Sequence, residues 1–310
     1  STPLYSSAAS DVYKRQLMDF IAILIGLGPL LGWGLFPTIA SKFGGRPVNQ
    51  IFGATVGTLI FAIVLALFKG IGLPGGMALV FSLISGAGWA FGQIITFKAF
   101  ELVGSSRAMP ITTAFQLLGA SLWGVFALGN WPGITNKIIG FLALLVILIG
   151  ARMTVWTETK QQEYSKNLRS AVLLLLVGEI GYWLYSAAPQ ATDIGGFKAF
   201  LPQAIGMVIV AVIYALMNMS KGNAFKEKVS WQQIISGFFF AFAALTYLIS
   251  AQPNMNGLAT GFVLSQTSVV LATLTGIFFL NQKKTSKELM ITIVGLVLIL
   301  VAASITVFIK

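Results

Sequence analysis

A single unit of five apolar segments occurs twice in this chain, about 150 residues apart. Gly28 and Trp33 recur as Gly178 and Trp183, and further matches follow in the same order at offsets of 149 to 152 residues. These are Gly57 and Ala62 with Gly206 and Ala211, then Ser85, Gly86, Ala90 and Phe91 with Ser236, Gly237, Ala241 and Phe242, then residues 124–128 with 276–280. Because each copy crosses a membrane an odd number of times, the second copy must be inverted relative to the first. Inverted repeats of this kind are typical of secondary transporters.

The composition explains why these segments are read as membrane spans. The chain is 56% hydrophobic and 9% charged, and a spanning helix needs about 20 mostly apolar residues. Ten such stretches are predicted, at 19–40, 48–68, 76–97, 108–128, 138–156, 170–188, 199–218, 231–250, 257–280 and 288–309. The expected fold is therefore an all-α integral membrane protein with ten transmembrane helices in two inverted five-helix repeats.

The domain boundaries follow from breaks in hydropathy. Residues 18–156 form repeat one, 157–168 a polar cytoplasmic linker, and 169–310 repeat two, and the two repeats are expected to make one transport domain. Residues 1–17 are polar and unlike the rest, and residues 11–16 resemble one reading frame of a sequencing adapter. We therefore predict that 1–17 is a non-native segment and exclude it from the fold.

The net charge of +11 is distributed unevenly between the two sides of the predicted bundle. Fourteen basic residues fall in the odd-numbered connections or at the span ends beside them, at 42, 46, 98, 107, 152, 160, 166, 169, 221, 226, 228, 283, 284 and 287. Four fall on the other side, at 69, 137, 198 and 310. Since basic loops stay in the cytoplasm, both termini are predicted outside a bacterial plasma membrane. The basic charge indicates topology and a lipid bilayer as partner, with no nucleic acid.

Several kinds of chemistry are excluded by composition. The chain has no cysteine and no histidine, which removes disulfides, Cys/His zinc sites and histidine-based catalytic triads. No pair of nucleophile and base, metal cluster or phosphate-binding loop is evident. We expect no cofactor, no metal and no enzymatic activity.

Glu179 is the acidic residue placed deepest in a predicted span. It lies in the middle of span six, between a run of leucines and Trp183. An acid at the bilayer centre costs about 2.5 kcal/mol or more, so it is expected to face a cavity or a partner. We predict that Glu179 carries the coupling proton; the alternative is a protonated, hydrogen-bonded structural role.

Amides, hydroxyls and aromatic rings recur at helical spacing in six spans. Trp89 and Gln93 share one face of span three, and Thr112 and Gln116 share one face of span four. The predicted substrate-binding residues are Trp33, Trp89, Gln93, Thr112, Gln116, Tyr182, Trp183, Tyr247 and Gln266, with Thr96, Trp123, Tyr185, Thr246, Ser250, Ser265 and Ser268 in the same set. Amides and hydroxyls match the OH groups of a neutral polyol, and an aromatic face fits its C–H surface. The alternative is that the buried amides only join helix to helix.

Two stretches carry a resemblance to a known family. Residues 44–57 read GGRPVNQIFGATVG, and residues 104–125 read GSSRAMPITTAFQLLGASLWGV. They are similar to spans two and four of the bacterial glucose/ribose uptake porters (GRP sugar transporters) of the drug/metabolite transporter superfamily. The resemblance covers 18–310 and implies a ten-helix, inverted-repeat porter that takes up a monosaccharide by proton symport. It also implies a cavity lined by spans one, three, four, six, eight and nine.

Two alternatives of other kinds remain open. An exporter of organic cations or amino-acid-like metabolites would use Glu179 as the counter-ion, because aromatic rings beside one carboxylate suit a quaternary amine. A membrane sensor or assembly subunit would need a soluble domain to transmit a signal, and no such domain is predicted.

Overall fold

The chain folds into a bundle of long helices. The structure is a computed structural model, which describes residues 20–127, 129, 131–159, 162–192, 194–250 and 255–309, with only the backbone of 190 and 257–260. The predicted non-native segment 1–17 lies outside these residues. Within them, ten helices are long and apolar enough to cross a membrane, and no strand occurs. The prediction of an all-helical, ten-span membrane protein is confirmed.

The helices follow one another with short connections. They are α1 Phe20–Phe43, α2 Pro47–Lys69, α3 Gly76–Val103, α4 Ser105–Ala127, α5 Gly133–Thr154, α6 Gln162–Ala187, α7 Gly196–Met217, α8 Lys228–Ser250, α9 Gly261–Phe279 and α10 Ser286–Phe308. Three of them are interrupted by a single residue: α1 at Leu27, α8 at Gln233, and α9 at Thr267, where the first part of the helix extends back to Gly257. Because the connections between the helices are short, successive helices run in opposite directions.

Two helices extend further than their apolar stretches indicate. Helix α3 continues to Val103, past Lys98 and Glu101, and α6 begins at Gln162, inside the stretch predicted as linker. In both places the extra turns carry polar or charged side chains. The length of an apolar stretch predicts the part of a helix that lies inside the bilayer. The ends of the helix are set separately, by the interactions that cap its terminal backbone groups.

Glycines allow the central helices to pack backbone against backbone. A Cβ at Gly57 would collide with the carbonyl oxygen of Ile234, and one at Gly206 with the carbonyl oxygen of Leu83. A second pair behaves in the same way, since Gly86 meets the carbonyl of Gln203 and Gly237 meets that of Ala54. Small residues permit such close approach where no hydrophobic effect separates helix from lipid.

These contacts map onto one another when the two halves of the chain are exchanged. The pair Gly57 and Ile234 becomes Gly206 and Leu83 at offsets of 149 and 151 residues, and the second pair exchanges likewise. The helix neighbours obey the same exchange: α3 packs on α6 and α7, and α8 packs on α1 and α2. This correspondence supports the division into two repeats, which stays a prediction.

The odd-numbered connections meet at one end of the bundle, here called the basic end. There the guanidinium of Arg46 donates to Oε1 of Glu227 at 2.7 Å and to the carbonyl oxygen of Lys221 at 2.8 Å. Nδ2 of Asn49 donates to Oε2 of Glu227 at 2.7 Å and to Oγ of Ser230 at 2.9 Å. These hydrogen bonds join the connection between α1 and α2 to the connection between α7 and α8.

A second group of contacts ties the linker region to the start of α10. Nζ of Lys284 donates to the carbonyl oxygen of Thr154 at 2.7 Å, and the Thr285 hydroxyl donates to Oε2 of Glu158 at 2.6 Å. Burial, together with the nearby charge of Arg107, lowers the pKa of Lys284 to about 8. The basic end is thus held by many polar contacts between connections that are distant in sequence.

Candidate functional site

A cavity of about 200 Å³ lies inside the bundle, between α1, α3, α4, α6, α8 and α9. These are the six spans that the family resemblance implies. Its lining is Trp33, Phe36, Trp89, Gln93, Thr96, Met109, Thr112, Thr113, Gln116, Tyr182, Tyr185, Ser186, Phe240, Tyr247, Phe262, Ser265, Gln266 and Ser268. The cavity therefore draws on both halves of the chain.

One wall of the cavity is a set of aromatic rings in contact with one another. The rings of Trp33 and Tyr247 lie 5.8 Å apart between centroids, and those of Trp89 and Phe240 lie 4.2 Å apart. Phe36 packs on the ring of Phe240 at 5.8 Å. Rings held by one another keep their faces in place, so this wall offers a rigid apolar surface to a ligand.

The cavity lining also contains a hydrogen-bonded group on α3 and α6. The Tyr182 hydroxyl donates to Oε1 of Gln93 at 2.9 Å and lies 2.8 Å from Oγ1 of Thr96. All three side chains are buried. The phenol ties the Gln93 amide to α6, so one polar group of that amide is held in place while the other remains for a ligand.

Two further amides are held only loosely. Nε2 of Gln116 donates to Oγ1 of Thr112 at 3.3 Å, and Nε2 of Gln266 donates to Oγ of Ser265 at 3.2 Å. Both contacts lie at the long end of hydrogen-bond geometry. Each amide can therefore exchange its present contact for a hydroxyl group of a bound ligand.

The structure brings eight of the nine predicted substrate-binding residues to this cavity. They are Trp33, Trp89, Gln93, Thr112, Gln116, Tyr182, Tyr247 and Gln266. Of the wider predicted set, Thr96, Tyr185, Ser265 and Ser268 also line the cavity, whereas Trp123, Thr246 and Ser250 do not. Trp183 lies elsewhere, because the residue beside Tyr182 on a helix points to a different side. Its ring packs on Trp123 at 5.3 Å, and the residue is 40% exposed.

Glu179 also lies outside the cavity lining. It sits on the seam between α4 and α6, where a Cβ at Gly119 would lie 3.0 Å from its Oε1. Its Oε2 is buried and has no hydrogen-bond partner among the described residues. Glu179 thus belongs to a helix that lines the cavity, but its own side chain does not form part of the cavity surface.

Six lining residues have no counterpart in the set predicted from sequence: Phe36, Met109, Thr113, Ser186, Phe240 and Phe262. Phe36 lies three residues after Trp33 and Phe240 seven before Tyr247, which is helical spacing from a predicted residue. That spacing is the signal that identifies them. It is weak in a chain with 24 phenylalanines, most of which have no reason to face a cavity.

The cavity is electrically neutral. Its lining contains amides, hydroxyls, aromatic rings and one methionine, and no Asp, Glu, Lys or Arg. Within the part of the chain that the structure describes, no group of three or more acidic residues is placed to hold a metal ion. The chemistry of the lining suits an uncharged ligand with several hydroxyl groups.

The cavity is closed toward the basic end by the start of α4 and the end of α9. A Cβ at Gly276 would lie 2.9 Å from Cβ of Ser106, and the Ser106 backbone N–H donates to Oε1 of Gln282 at 2.9 Å. Helix α4 packs on the part of α9 near this end, Ser268–Phe279, while Gly257–Gln266 packs mainly on α10, α1 and α8. The two helices are therefore packed together at the basic end.

Comparison with known proteins identifies the family to which this sequence is similar. The sequence profile of the sugar transport protein family matches residues 24–309, nearly the whole of the bundle. The chain belongs to the sugar transport protein family. It is accordingly a multi-pass membrane transporter and not an enzyme, and the prediction of a sugar transporter is confirmed at that level.

Bacterial proteins with ribose uptake names are similar to this chain over their whole length. A Staphylococcus epidermidis protein named "Putative ribose uptake protein RbsU" is 99% identical over 293 residues, which is 94% of this chain and 100% of that protein. Proteins of the same name from Staphylococcus aureus and Enterococcus faecalis are 78% and 70% identical at the same coverage. A solved crystal structure with 18% identity superposes with a TM-score of 0.61 over 93% of this chain and 99% of the other. That likeness concerns the fold alone.

Proposed function

We propose that this member of the family takes up a monosaccharide of the ribose or glucose class by proton symport, through alternating access. The observation that carries the proposal is the neutral cavity, whose lining combines aromatic rings with amides and hydroxyls. Its volume of about 200 Å³ is below that of drug-sized sites, which favours one sugar ring. The ribose uptake names of the relatives support the same class.

The organic-cation alternative finds less support in the geometry. A cation-binding cage places a carboxylate and aromatic rings around one site. Here the rings line the cavity, whereas Glu179 lies on the α4–α6 seam and contributes nothing to the lining. We therefore assign Glu179 to the coupling ion and the aromatic wall to the sugar.

The two-repeat arrangement supports alternating access. At an offset of 152 residues, the contact of Gly276 with residues 105 and 106 corresponds to a contact of Gly124 with residues 257 and 258. Among the described residues, α4 packs on the Ser268–Phe279 part of α9 at the basic end. We propose that the second contact forms when the first opens, and that the basic end is cytoplasmic with both termini outside.

Transport in proteoliposomes tests the function. With an inward gradient of one pH unit, a symporter carrying one proton per sugar is expected to accumulate radiolabelled ribose up to about tenfold, because one pH unit corresponds to about 1.4 kcal/mol. A protonophore should abolish the accumulation while ribose counterflow continues. If neither ribose nor glucose shows counterflow, the proposed uptake of a ribose- or glucose-class sugar is wrong.

The cavity assignment makes a separate prediction about affinity. Gln116→Ala is expected to raise the ribose concentration for half-maximal counterflow by about fivefold, because it removes one hydrogen bond of about 1 kcal/mol. Gln162→Ala, which changes an exposed glutamine at the start of α6, serves as the control. Equal half-saturation in both variants would remove Gln116 from the binding site.

A further inference from the structure

The seam between α4 and α6 holds a buried carboxyl group, that of Glu179, which is not part of the lining of the sugar cavity. Gly119 and Trp123 are four residues apart on α4, and Glu179 and Trp183 are four residues apart on α6. Residues at this spacing share one helix face. Accordingly Gly119 meets Glu179, and one turn further from the basic end the ring of Trp123 meets that of Trp183 at 5.3 Å.

Because Gly119 has no side chain, the carboxyl group of Glu179 can lie directly against the backbone of α4. Oε1 of Glu179 lies 3.0 Å from the place where a Cβ would stand at Gly119, which is closer than ordinary carbon–oxygen contact. Any larger residue at this position would therefore make the carboxyl group of Glu179 shift by a few tenths of an ångström. The close fit of a carboxyl against a bare stretch of helix backbone makes Gly119 a positioning residue for Glu179.

Two polar atoms on this seam are buried without a partner. They are Oε2 of Glu179 and the indole Nε1 of Trp123, neither of which has a hydrogen-bond partner among the described residues. One atom is an acceptor and the other is a donor only. Buried polar groups are rarely left unpaired, and a charged carboxylate needs donors far more than a protonated one. The unpaired N–H one turn from the acid points to a second state in which the two join.

Few other groups can influence the acid. The titratable side chain close to Glu179 is Tyr182 on its own helix, which is engaged with Gln93. The charged residues of the packed neighbours, Lys98 and Glu101 on α3 and Arg107 on α4, lie near the basic end of those helices. Whether Glu179 holds a proton therefore depends mainly on the residues of the α4–α6 seam around it.

We propose that Glu179, Gly119 and Trp123 form a proton site on the α4–α6 seam, separate from the sugar cavity. Glu179 is protonated in the present geometry; on losing the proton, its carboxylate accepts a hydrogen bond from the Trp123 indole. The site belongs to the symport proposed above and rests on it. Since Gln116 lies three residues before Gly119 and Tyr182 three after Glu179, the same two helices carry sugar contacts and proton site.

The first test reduces the space beside the carboxyl group of Glu179. Gly119→Ala is expected to lower proton-driven ribose accumulation at least fivefold while ribose counterflow without a gradient stays within twofold of the unchanged protein. Ala120→Ser, one residue along on the exposed side of α4, is the matched control and should do neither. Unaltered accumulation in Gly119→Ala would show that the position of Glu179 against α4 is unimportant.

The second test removes the donor and keeps the ring. Trp123→Phe still packs on Trp183 but has no N–H, so the deprotonated state loses its hydrogen bond. The pH at which ribose exchange is half-maximal, measured with equal pH on both sides, should rise by about one unit, the effect of an ordinary hydrogen bond to a charged group. Trp156→Phe, two residues after the end of α5 and far from the seam in sequence, should leave the pH profile unchanged.

The results separate the two proposals. If the unchanged protein shows no counterflow of any sugar, the proposed function fails. If it transports ribose and both Gly119→Ala and Trp123→Phe keep normal accumulation and an unchanged pH profile, the function stands and the proton site is wrong. Should Gly119→Ala also lose counterflow, the pH profile of Trp123→Phe alone decides.

Discussion

Joining α4 to α9 at the basic end is expected to stop transport completely. In the double variant Ser106→Cys, Gly276→Cys, the two Cβ atoms would start 2.9 Å apart, and a disulfide needs about 3.5–4.5 Å. A separation of under about 1 Å between the helices therefore suffices for oxidation. With the bond formed, this end cannot open, and ribose counterflow should fall to the level of empty liposomes.

The absence of native cysteine makes this experiment clean. Because the chain has none, the introduced pair is the only thiol chemistry present, and each single-cysteine variant serves as its own control. Counterflow should return on addition of a reducing agent. Full counterflow in the oxidised double variant, with the disulfide verified by mass, would mean that α4 and α9 need not part at this end and would overturn the proposed gate.

Glu179→Gln is expected to separate sugar movement from the proton gradient. The amide keeps the shape of the side chain and cannot release a proton. Accumulation driven by one pH unit should drop from up to about tenfold to the equilibrium level, while counterflow persists. The measurement is the ratio of internal to external ribose at steady state, with and without the gradient.

An exposed acid provides the matched control for this variant. Glu163→Gln, near the start of α6, makes the same chemical change on the same helix at a solvated position and should accumulate ribose normally. Normal accumulation in Glu179→Gln would exclude this residue as the coupling site. Loss of counterflow as well would show that the acid is needed for folding or for the conformational change itself.

The location of the ten helices could be predicted from sequence because apolar length is a local property. Their ends could not, as α3 and α6 show: Lys98, Glu101 and the residues from Gln162 onward are too polar to belong to a membrane span and are nevertheless helical. Helix termination depends on caps and on neighbouring connections, and these are set by contacts between distant parts of the chain.

The polar part of the cavity was within reach of sequence reasoning for a physical reason. An amide such as Gln93 or Gln116 in the middle of an apolar span is costly toward lipid, so it must face the interior. Phenylalanine carries no such constraint. Phe36, Phe240 and Phe262 are as compatible with lipid as with a cavity, and only the packing of α1, α8 and α9 directs them inward.

By itself the sequence determined which segments cross the membrane and which polar side chains must avoid lipid, because both follow from the free energy of transfer into hydrocarbon. The tertiary structure decided what those side chains meet. How α6 crosses α3 and α4 places Tyr182 in the sugar cavity, Trp183 against Trp123, and Glu179 against the bare backbone of Gly119. Neighbouring positions on one helix point in different directions, so their partners depend on interhelical contacts that no local pattern contains.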